Sequence, residues 1–356
     1  MKKRHFDALK PICPRCSRTI NADYPLVADR IEASTDDEII EGSLVCSSAA
    51  CRQEYPIIDG IPVLVPDVRS WVQGHQWDMM ARRDLAMGSE SLIGDCLDPG
   101  SPFNISRQHT SIYAADHYGG DTDRNGAKSV MALVDVGLGQ LTGPSPPAPG
   151  PILDLGCSVG GTSLHLAKHA GGHPVLGVDL SWGMLRIGRD ALTDGRITYS
   201  LREIGLVYRR ITRSVDTTDA ALVDFWIADA LALPFQPETF SLVVAMNVLD
   251  CVASPIQALG AIDGVLTRDG HCILATPFDW SASATPIEGW IGGHSQRGPD
   301  GGAPEKRLQA LLADGASPLP GLRLARQSVE TRPWQVRLHD RCTMEYATDV
   351  YVLKRI

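Results

Sequence analysis

A glycine-rich turn between a short apolar run and a helix-forming stretch is the feature that most constrains how this chain folds. The segment ILDLGCSVGGTSLHLA, at 152–167, places Gly156, Gly160 and Gly161 directly after strand-forming residues. Glycine lets the backbone take positive φ and approach a ligand closely. A glycine turn between a first strand and a first helix is typical of nucleotide-cofactor sites, although glycines alone do not distinguish a dinucleotide from another adenosine ligand.

The alternation of segments after this turn predicts the fold class. We predict strands at 152–155, 174–179, 225–228, 240–246 and 271–276, and helices at 162–169, 182–192 and 255–266. Near-continuous apolar strands separated by helices are what a parallel sheet covered on both faces requires. The tail at 327–356 is typical of two long strands with a turn near 339–340. The predicted fold is therefore α/β, a doubly wound, mostly parallel seven-stranded sheet with a hairpin at its edge.

Composition divides the 356 residues into three regions. Residues 1–68 hold four of the nine cysteines and end in a β-rich run, which predicts a small N-terminal module. Residues 69–149 look helical and lead into the proline-rich segment GPSPPAPGP at 143–151, which is typical of a linker. Residues 150–356 carry the alternating pattern and include a Gly- and Pro-rich loop at about 277–305.

Charge and cysteine usage exclude several classes of protein. A net charge of −9 disfavours nucleic acid as a partner, because counterion release at a basic face supplies most of the affinity for phosphates. The opening MKKRHFDALK has no apolar run behind it and does not match a signal peptide. No stretch approaches the ~20 apolar residues of a membrane span. We therefore expect a cytoplasmic protein whose cysteines are reduced thiols or metal ligands. The sequence leaves the oligomeric state open.

Acidic residues mark the first three predicted strands. Asp154 sits two residues before Gly156, where it would repel a pyrophosphate but not a cationic sulfonium that carries an ammonium group. Asp179 ends the second strand, where a carboxylate can accept hydrogen bonds from both ribose hydroxyls. Asp229 and Ala230 follow the third strand. Each carboxylate alone is more often a helix cap or turn residue, but the three together favour one cofactor site.

The turn fits the pattern D/E-x-G-x-x-x-G and resembles motif I of class I S-adenosylmethionine-dependent methyltransferases, which are Rossmann-like enzymes. Ser158 stands where many members carry glycine. The resemblance implies methyltransferase activity with S-adenosyl-L-methionine as cofactor, and an adenine edge held by the third Asp and the next backbone N–H. The implied cofactor contacts are Asp154, Gly156, Cys157, Ser158, Gly160, Asp179, Leu180, Asp229, Ala230 and Asn247.

Segments along 112–356 resemble one branch of these enzymes, the ovothiol-type mercaptohistidine N-methyltransferases. They are IYAADHYG at 112–119, ITYSLREIG at 197–205, AMNVLDCVASP at 245–255, TPIEGWIGG at 285–293 and the ending RPWQVRLHDRCTMEYATDVYVLKR. The stretch NVLDC also resembles the Asn-x-Leu-Asp-Arg-Cys signature of protein-histidine methyltransferases. Both relatives methylate an imidazole nitrogen. The resemblance therefore implies an imidazole-bearing substrate such as a histidine derivative, thiol- or selenium-substituted forms included.

An imidazole acceptor gives catalytic roles to Asn247 and Asp250, which follow the fourth strand, where doubly wound sheets bind ligands. Neutral imidazole is nucleophilic near pH 7, and a carboxylate that accepts one ring N–H leaves the lone pair of the other nitrogen free. We assign Asp250 as that acceptor and Asn247 as a second hydrogen-bonding contact. The alternative is that both residues cap the helix that begins at Pro255.

Weaker candidates for substrate contact lie in the lead-in helix, the 277–305 loop and the terminal hairpin: Tyr113, His117, Tyr118, Trp280, Trp290, His294, Arg337 and Arg341. The helix residues either close over the methyl donor as a lid or pack at an interface. Binding residues concentrate in loops, but Trp280 is equally well explained as a hydrophobic plug. The arginines either meet a substrate carboxylate or lie on a solvated strand face.

The N-terminal cysteines have the arrangement of a zinc site. Cys13 and Cys16 have zinc-knuckle spacing, and Cys46 and Cys51 complete four thiolate ligands. A small module with few apolar side chains often needs such a metal. The run YPIIDGIPVLVPD resembles the end of small zinc-ribbon proteins that activate methyltransferases. Four residues separate the second cysteine pair, where that family has two, so a metal-free ribbon with reduced thiols is the alternative.

Three functions compete on these observations. The preferred one is N-methylation of an imidazole-bearing small molecule. The second is methylation of ribosomal or transfer RNA, or of a protein histidine, with the zinc-ribbon module binding the substrate. It predicts a basic track from the ribbon to the cofactor pocket. The end of the fourth strand lacks the N-P-P-[YF] motif of amino methylation, which counts against it. The third is a non-enzymatic adaptor, which would not need the acidic residues that mark the first three predicted strands.

Overall fold

The computed structural model describes residues 1–120, 128–141, 148–313, 321–324 and 329–356. The helices of these ranges are α1 (Lys3–Leu9), α2 (Pro14–Ile20), α3 (Val68–Met80), α4 (Met87–Asp95), α5 (Pro102–Tyr118), α6 (Ser129–Leu141), α7 (Gly161–Ala167), α8 (Trp182–Asp194), α9 (Pro255–Val265) and α10 (Pro304–Ala313). The strands are β1 (Leu26–Ser34), β2 (Ile39–Cys46), β3 (Glu54–Ile58), β4 (Ile61–Leu64), β5 (Ile152–Leu155), β6 (Val175–Asp179), β7 (Arg196–Ile204), β8 (Val207–Ser214), β9 (Val223–Ala228), β10 (Phe240–Met246), β11 (Leu266–Thr276), β12 (Leu322–Leu324), β13 (Glu330–His339) and β14 (Cys342–Arg355).

The predicted doubly wound sheet is present as the order β9-β6-β5-β10-β11-β14-β12. The first five strands run parallel, and β14 pairs antiparallel with both β11 and β12. Every residue of β5, β9 and β10 is buried, as a parallel sheet covered on both faces requires. Alternate residues of β5 face opposite layers, since Leu153 packs with the α9 side and Ile152 with the α6–α8 side.

The N-terminal module extends one edge of this sheet. Strands β1 to β4 pair antiparallel in sequence order, and β4 then pairs parallel with β9, so that twelve strands form one mixed sheet. A partly buried ion pair between Arg189 of α8 and Glu38 adds a polar link at 2.5 Å. The sheet is therefore larger than the seven strands that the sequence predicts, because the module's last strand extends one edge.

Four helices, α3 to α6, fill the region between the module and β5. Helix α5 begins at Pro102, and the Ser101 side chain accepts a hydrogen bond from the Asn104 N–H at its N-cap. The proline-rich linker predicted at 143–151 lies mostly outside the described residues. None of the helices in the described ranges is long and apolar enough to span a membrane.

Two hairpins complete the structure near α5. The predicted terminal hairpin is present as β13 and β14, with His339 opposite Cys342 at its turn. The segment 197–205, which the sequence marks only as an insertion, forms a second antiparallel hairpin from β7 and β8. Helix α5 packs against both β7 and β13. It thereby brings the end of the chain over the carboxyl ends of the parallel strands.

Candidate active site

A cavity of about 900 Å³ opens at the carboxyl ends of β5, β6, β9 and β10, and its far wall comes from α5 and the β13–β14 hairpin. This volume lies near the upper end of the range for small-molecule sites, about 300–1,000 Å³. Six aspartates line it: Asp116, Asp154, Asp179, Asp229, Asp250 and Asp279. No lysine or arginine of the described ranges lines the cavity.

The glycine turn forms the floor between β5 and α7. Gly156 has φ of 72°, and a Cβ added there would lie 2.4 Å from a methyl carbon of Val248. Ser158 also takes positive φ, 52°, and its backbone N–H donates to Asp179 Oδ2 at 2.9 Å. The tight turn therefore depends on glycine at position 156, and one hydrogen bond joins it to the predicted acidic residue at the end of β6.

Asp154 lies beneath the turn and holds the start of α7. Its Oδ2 accepts hydrogen bonds from the hydroxyls of Thr162 and Ser163, both at 2.6 Å. Burial raises the pKa of this carboxyl to about 6, with the two hydroxyls acting in the opposite direction. The carboxylate is thus kept at the cavity without any cationic side chain of the described residues paired to it.

Asp179 and Asp229 stand at the next two strand ends. Asp179 accepts backbone hydrogen bonds at both oxygens, from Ser158 and at 2.8 Å from Ser181, while burial raises its pKa. Asp229 Oδ1 accepts the N–H of Leu231 at 2.9 Å. A carboxylate oxygen has two lone-pair sites, so each group keeps acceptor capacity toward the cavity. The three predicted carboxylates, with Leu180 and Ala230, share one cavity.

Asn247 and Asp250 bring unsatisfied polar atoms to the end of β10. Asn247 has φ of 55°, and both its amide oxygen and its amide nitrogen are buried without a hydrogen-bond partner. Asp250 is 3% exposed, and its Oδ1 is also buried without a partner. Buried polar groups are normally paired, because leaving them unpaired costs about 1–3 kcal/mol each. These atoms line the cavity, so a ligand there would complete their hydrogen bonds.

The loop after β11 fixes the position of Asp250. The backbone N–H of Ser281 donates to the Asp250 carbonyl at 2.9 Å, and the Thr285 hydroxyl donates to the Val252 carbonyl at 2.7 Å. Burial raises the pKa of the Asp250 carboxyl to about 6, against a backbone hydrogen bond from Asp279 that lowers it. The capping alternative does not hold, because Ser254 is the N-cap of α9 and accepts the Gln257 N–H.

The far wall contains aromatic residues that the sequence analysis missed. Trp334 of β13 and Tyr346 of β14 are stacked with ring centroids 5.2 Å apart. They are direct partners in the hairpin register, so the predicted turn near 339–340 was the signal that would have paired them. The Trp334 indole N–H donates to Asp116 at 2.9 Å. Burial raises the pKa of Asp116 to about 6.

Tyr113, His117 and Trp280, three of the predicted substrate contacts, line the cavity. His117 is buried, and desolvation lowers its pKa to about 3, so its ring is neutral at physiological pH. Burial raises the pKa of Tyr113. Trp280 stacks on Trp290 at 5.8 Å, which places Trp290 behind the wall rather than on it. The Trp290 indole N–H donates to the Thr285 carbonyl at 2.9 Å.

Arg337 does not lie on the cavity, and its assignment as a substrate contact is corrected. Side chains alternate along a strand, and Arg337 is three positions from the cavity-lining Trp334, so the two point to opposite faces. The guanidinium of Arg337 is 8% exposed, donates to the Arg202 carbonyl at 2.9 Å and pairs with Asp340. It ties the terminal hairpin to β7. His294 and Arg341, the other loop and hairpin candidates, are exposed and also lie off the cavity.

Three further predicted residues act from behind the site. The Tyr118 hydroxyl donates to the Val159 carbonyl at 2.7 Å, so it braces the turn and does not close over it. Cys157 is buried, with its N–H on the Val178 carbonyl at 3.0 Å. Gly160 has φ of 81°, and a Cβ there would lie 2.3 Å from the Phe225 ring. These residues shape the turn without lining the cavity.

The four N-terminal cysteines converge as the sequence predicts. All their sulfurs lie within 4.8 Å of one another, with Cys13–Cys51 at 4.0 Å and Cys16–Cys46 at 3.8 Å. Sulfurs held about 2.3 Å from a tetrahedral zinc lie about 3.8 Å apart, so the arrangement fits such an ion. The Tyr55 hydroxyl lies 3.1 Å from the Cys13 sulfur, as an outer-shell partner would. The longer spacing of the second pair therefore does not prevent convergence.

Comparison with known proteins identifies the central part of the chain. The family model described as "Methyltransferase domain" matches residues 153–274, which run from β5 into β11 and include the glycine turn. Four of the six cavity-lining aspartates lie within the match, and Asp116 and Asp279 lie outside it. No curated protein sequence matches the chain.

Several solved structures are similar in fold at low identity. Phosphoethanolamine N-methyltransferase 2 of Haemonchus contortus, in complex with S-adenosyl-L-methionine, is 19% identical with a TM-score of 0.34, over 47% of this chain and 33% of that chain. The MccD protein is 19% identical with a TM-score of 0.31, over 41% and 52%. A chain of the Haloferax volcanii complex between the Trm112 methyltransferase activator and a methyltransferase is 14% identical with a TM-score of 0.40, over 70% and 97%.

This chain spans only about half of the MccD chain and a third of the Haemonchus enzyme. The family match is independent of those alignments. It falls on the strands whose carboxyl ends carry Asp154, Asp179, Asp229 and Asp250. Residues 153–274 are therefore similar to the methyltransferase domain family, and the acid-lined glycine turn lies inside this match.

Proposed function

We propose that this protein is an S-adenosylmethionine-dependent methyltransferase that N-methylates the imidazole ring of a small molecule derived from histidine. The observation that carries the proposal is the unpaired Oδ1 of Asp250, buried at the end of β10 beside the cofactor half of the same cavity. A buried carboxylate oxygen with no protein donor fits a ligand that brings an N–H group. The unpaired amide of Asn247 offers a second donor and acceptor.

The cavity divides into a cofactor part and an acceptor part under this proposal. Asp154, Asp179 and Asp229 would hold S-adenosylmethionine, with Asp179 accepting from the ribose hydroxyls. Asn247 stands between the two parts and Asp250 in the acceptor part. The bound cofactor supplies the methyl group from its sulfonium.

Asp250 would act on the proton of the acceptor ring. Accepting one imidazole N–H at Oδ1 fixes the tautomer and leaves the lone pair of the other nitrogen free for the methyl group. N-methylation turns the neutral ring into an imidazolium, and the carboxylate can take its remaining N–H proton. Burial raises the Asp250 pKa to about 6, close to the ordinary imidazole value of about 6.5, so this transfer needs little driving force.

Methylation of RNA or of a protein histidine is the second candidate function, and the charge of the cavity speaks against RNA. A track of phosphates requires basic side chains, and the described cavity lining offers aspartates instead. The cavity lies under the terminal hairpin and the 277–281 loop, which suits a metabolite better than a chain.

We also propose that Cys13, Cys16, Cys46 and Cys51 hold a structural zinc ion. Four protein sulfurs leave no open position on the metal, so its contribution is to the stability of the module and, through β4 and β9, to that of the sheet. Elemental analysis of the full chain should give one zinc per chain, lost in Cys16→Ser. Zinc-free protein with unchanged stability would overturn this assignment.

The proposed function is tested with methyl-labelled S-adenosylmethionine and three classes of acceptor: free imidazole compounds with and without a ring thiol, total RNA, and histidine-containing peptides. The expected result is label in a small molecule, with the N-methyl group located on the imidazole ring by nuclear magnetic resonance. Label that enters RNA or peptides, with none in the imidazoles, would contradict the proposal.

A further inference from the structure

The acceptor part of the cavity is acidic and aromatic, and this limits the charge of its substrate. Beyond Asp250, it presents Asp279 and Asp116 together with the rings of Tyr113, Trp334 and Tyr346. In the described residues no arginine or lysine lines the cavity that would neutralise them. S-adenosylmethionine brings only a small net positive charge, so much of the negative charge is left for the acceptor to balance.

The aromatic pair is flanked by carboxylates at both ends. Trp334 donates its indole N–H to Asp116 at 2.9 Å, while Asp279 lies within hydrogen-bonding reach of the Tyr346 hydroxyl. Asp116 is already satisfied, because it also accepts from the Ser129 hydroxyl at 2.9 Å and the Val130 N–H at 3.2 Å. Asp279 is the carboxylate at this wall that remains accessible to a ligand.

A cation fits this wall on two independent grounds. Aromatic faces attract ammonium groups within about 6 Å, and the attraction grows as the cation loses water. A carboxylate beside the ring adds a charge-assisted hydrogen bond. A substrate carboxylate would instead lie beside Asp279 and Asp116, and no lysine or arginine of the described residues lines the cavity to pair with it. Such juxtaposition of like charges costs several kcal/mol.

We propose that the imidazole substrate carries a positively charged amine and no free carboxylate, with the amine bound between Asp279 and the Trp334–Tyr346 pair. This inference rests on the proposed function, and it selects decarboxylated or amidated histidine derivatives over histidine itself. The imidazole ring reaches Asp250 and the side-chain ammonium reaches Asp279, two residues that are neighbours because the Asp279 backbone N–H donates to the Asp250 carboxyl. Arg337, the residue that the sequence offered for a carboxylate, points away.

The sharpest test compares acceptors in which a carboxylate is neutralised as an amide or replaced by an amine. Histidine and histidinamide form one pair, and imidazol-4-ylpropionate and imidazol-4-ylethylamine form another, each with and without a ring thiol. We expect kcat/KM to be at least about 100-fold higher for the amide and the amine, since like-charge burial costs several kcal/mol. Equal kcat/KM within either methylated pair would overturn the inference and leave the proposed function standing. If 4-methylimidazole and all other imidazoles stay unmethylated, the proposed function itself fails.

A substitution tests whether Asp279, beside the Trp334–Tyr346 pair, causes the preference for acceptors without a carboxylate. Asp279→Asn should reduce the histidinamide-to-histidine ratio about tenfold, mainly through a higher KM for histidinamide, and should leave affinity for S-adenosylmethionine unchanged. Asp36→Asn is the matched control, because Asp36 is exposed and lies away from the cavity. An unchanged ratio in Asp279→Asn would contradict the placement of the amine.

Discussion

Two cavities lie on either side of α5 and α8, and they differ in the charged side chains that line them. The second cavity, of about 530 Å³, is lined by six arginines and four acids: Arg82, Arg83, Arg107, Arg186, Arg196, Arg210, Asp78, Glu90, Asp190 and Asp194. The first is lined by six aspartates and by no basic side chain of the described residues. Both share walls with the same helices, so the difference lies in the side chains.

The charges of the second cavity are largely paired within the protein. Glu90 forms ion pairs with Arg107 at 3.1 Å and Arg210 at 2.6 Å, and Arg83 pairs with Asp190. Arg107 also lies over the Tyr208 ring at 4.1 Å, which ties the β7–β8 hairpin to α5. This network holds the insertion hairpin in place.

The aspartates of the first cavity depend on weaker partners. Asp154 has two hydroxyls and Asp179 has two backbone N–H groups, and burial raises the pKa of both. Keeping carboxylates buried without cations costs stability, as is common where a site is prepared for a ligand. The comparison supports the proposal that the ligands of this cavity supply the positive charge that its described lining lacks.

The largest effect that we expect from a substitution in the first cavity is on the affinity for S-adenosylmethionine. Asp179→Asn removes the charge that would bind the ribose hydroxyls, and since a charged hydrogen bond contributes about 1.5–3 kcal/mol, S-adenosylmethionine should bind about 10- to 100-fold more weakly. Titration calorimetry measures the change, with Asp36→Asn as the control. Unchanged affinity with an unchanged melting temperature would remove Asp179 from the cofactor site.

The next effect separates the two cavities through stability. Glu90→Gln leaves Arg107 and Arg210 without their carboxylate, so we expect it to lower the free energy of unfolding by about 1–2 kcal/mol. Affinity for S-adenosylmethionine should stay within about twofold. Denaturant unfolding and calorimetry provide the two readouts. A drop in cofactor affinity without loss of stability would mean that the arginine cavity binds a ligand as well.

The smallest expected effect is a gain in stability rather than a loss. Burial raises the pKa of Asp250 to about 6, so its ionised form is disfavoured in the folded state. The resulting stability is present below pH 4 and is lost as pH rises through 6. Asp250→Asn stays neutral and should therefore make the cofactor-free protein about 1 kcal/mol more stable at pH 8, with no difference near pH 4. A variant that is less stable at pH 8 would contradict the unpaired state of this carboxylate.

Local patterns predicted the strand, glycine turn and helix at 152–167 because these elements are contiguous in sequence. Asp179 at the end of β6 and Asp229 just after β9 likewise lie in short segments that determine their own geometry. The far wall was not predictable in the same way. Trp334 and Tyr346 reach the cavity only because β14 pairs with β11 and α5 packs on β13, and such contacts join distant parts of the chain.

Two features of the structure lie outside what local patterns predict. Strand β4 pairs with β9, more than 150 residues away in sequence, and no local signal marks that pairing. Arg337 was placed on the substrate because charge suggested a carboxylate partner, yet strand alternation turns it to the opposite face from Trp334. Applying that alternation to the predicted hairpin would have placed Arg337 opposite Trp334 from sequence alone.

The most direct measurement of the central claim is the effect of Asp250→Asn on turnover and on cofactor affinity in the same preparation. The account predicts that kcat for the imidazole substrate falls by about 100-fold, because a neutral amide cannot take the ring proton as the carboxylate does, while the Kd for S-adenosylmethionine changes by less than about twofold. Turnover that is unchanged, or that falls only in proportion to cofactor binding, would contradict the assignment of Asp250 to the imidazole.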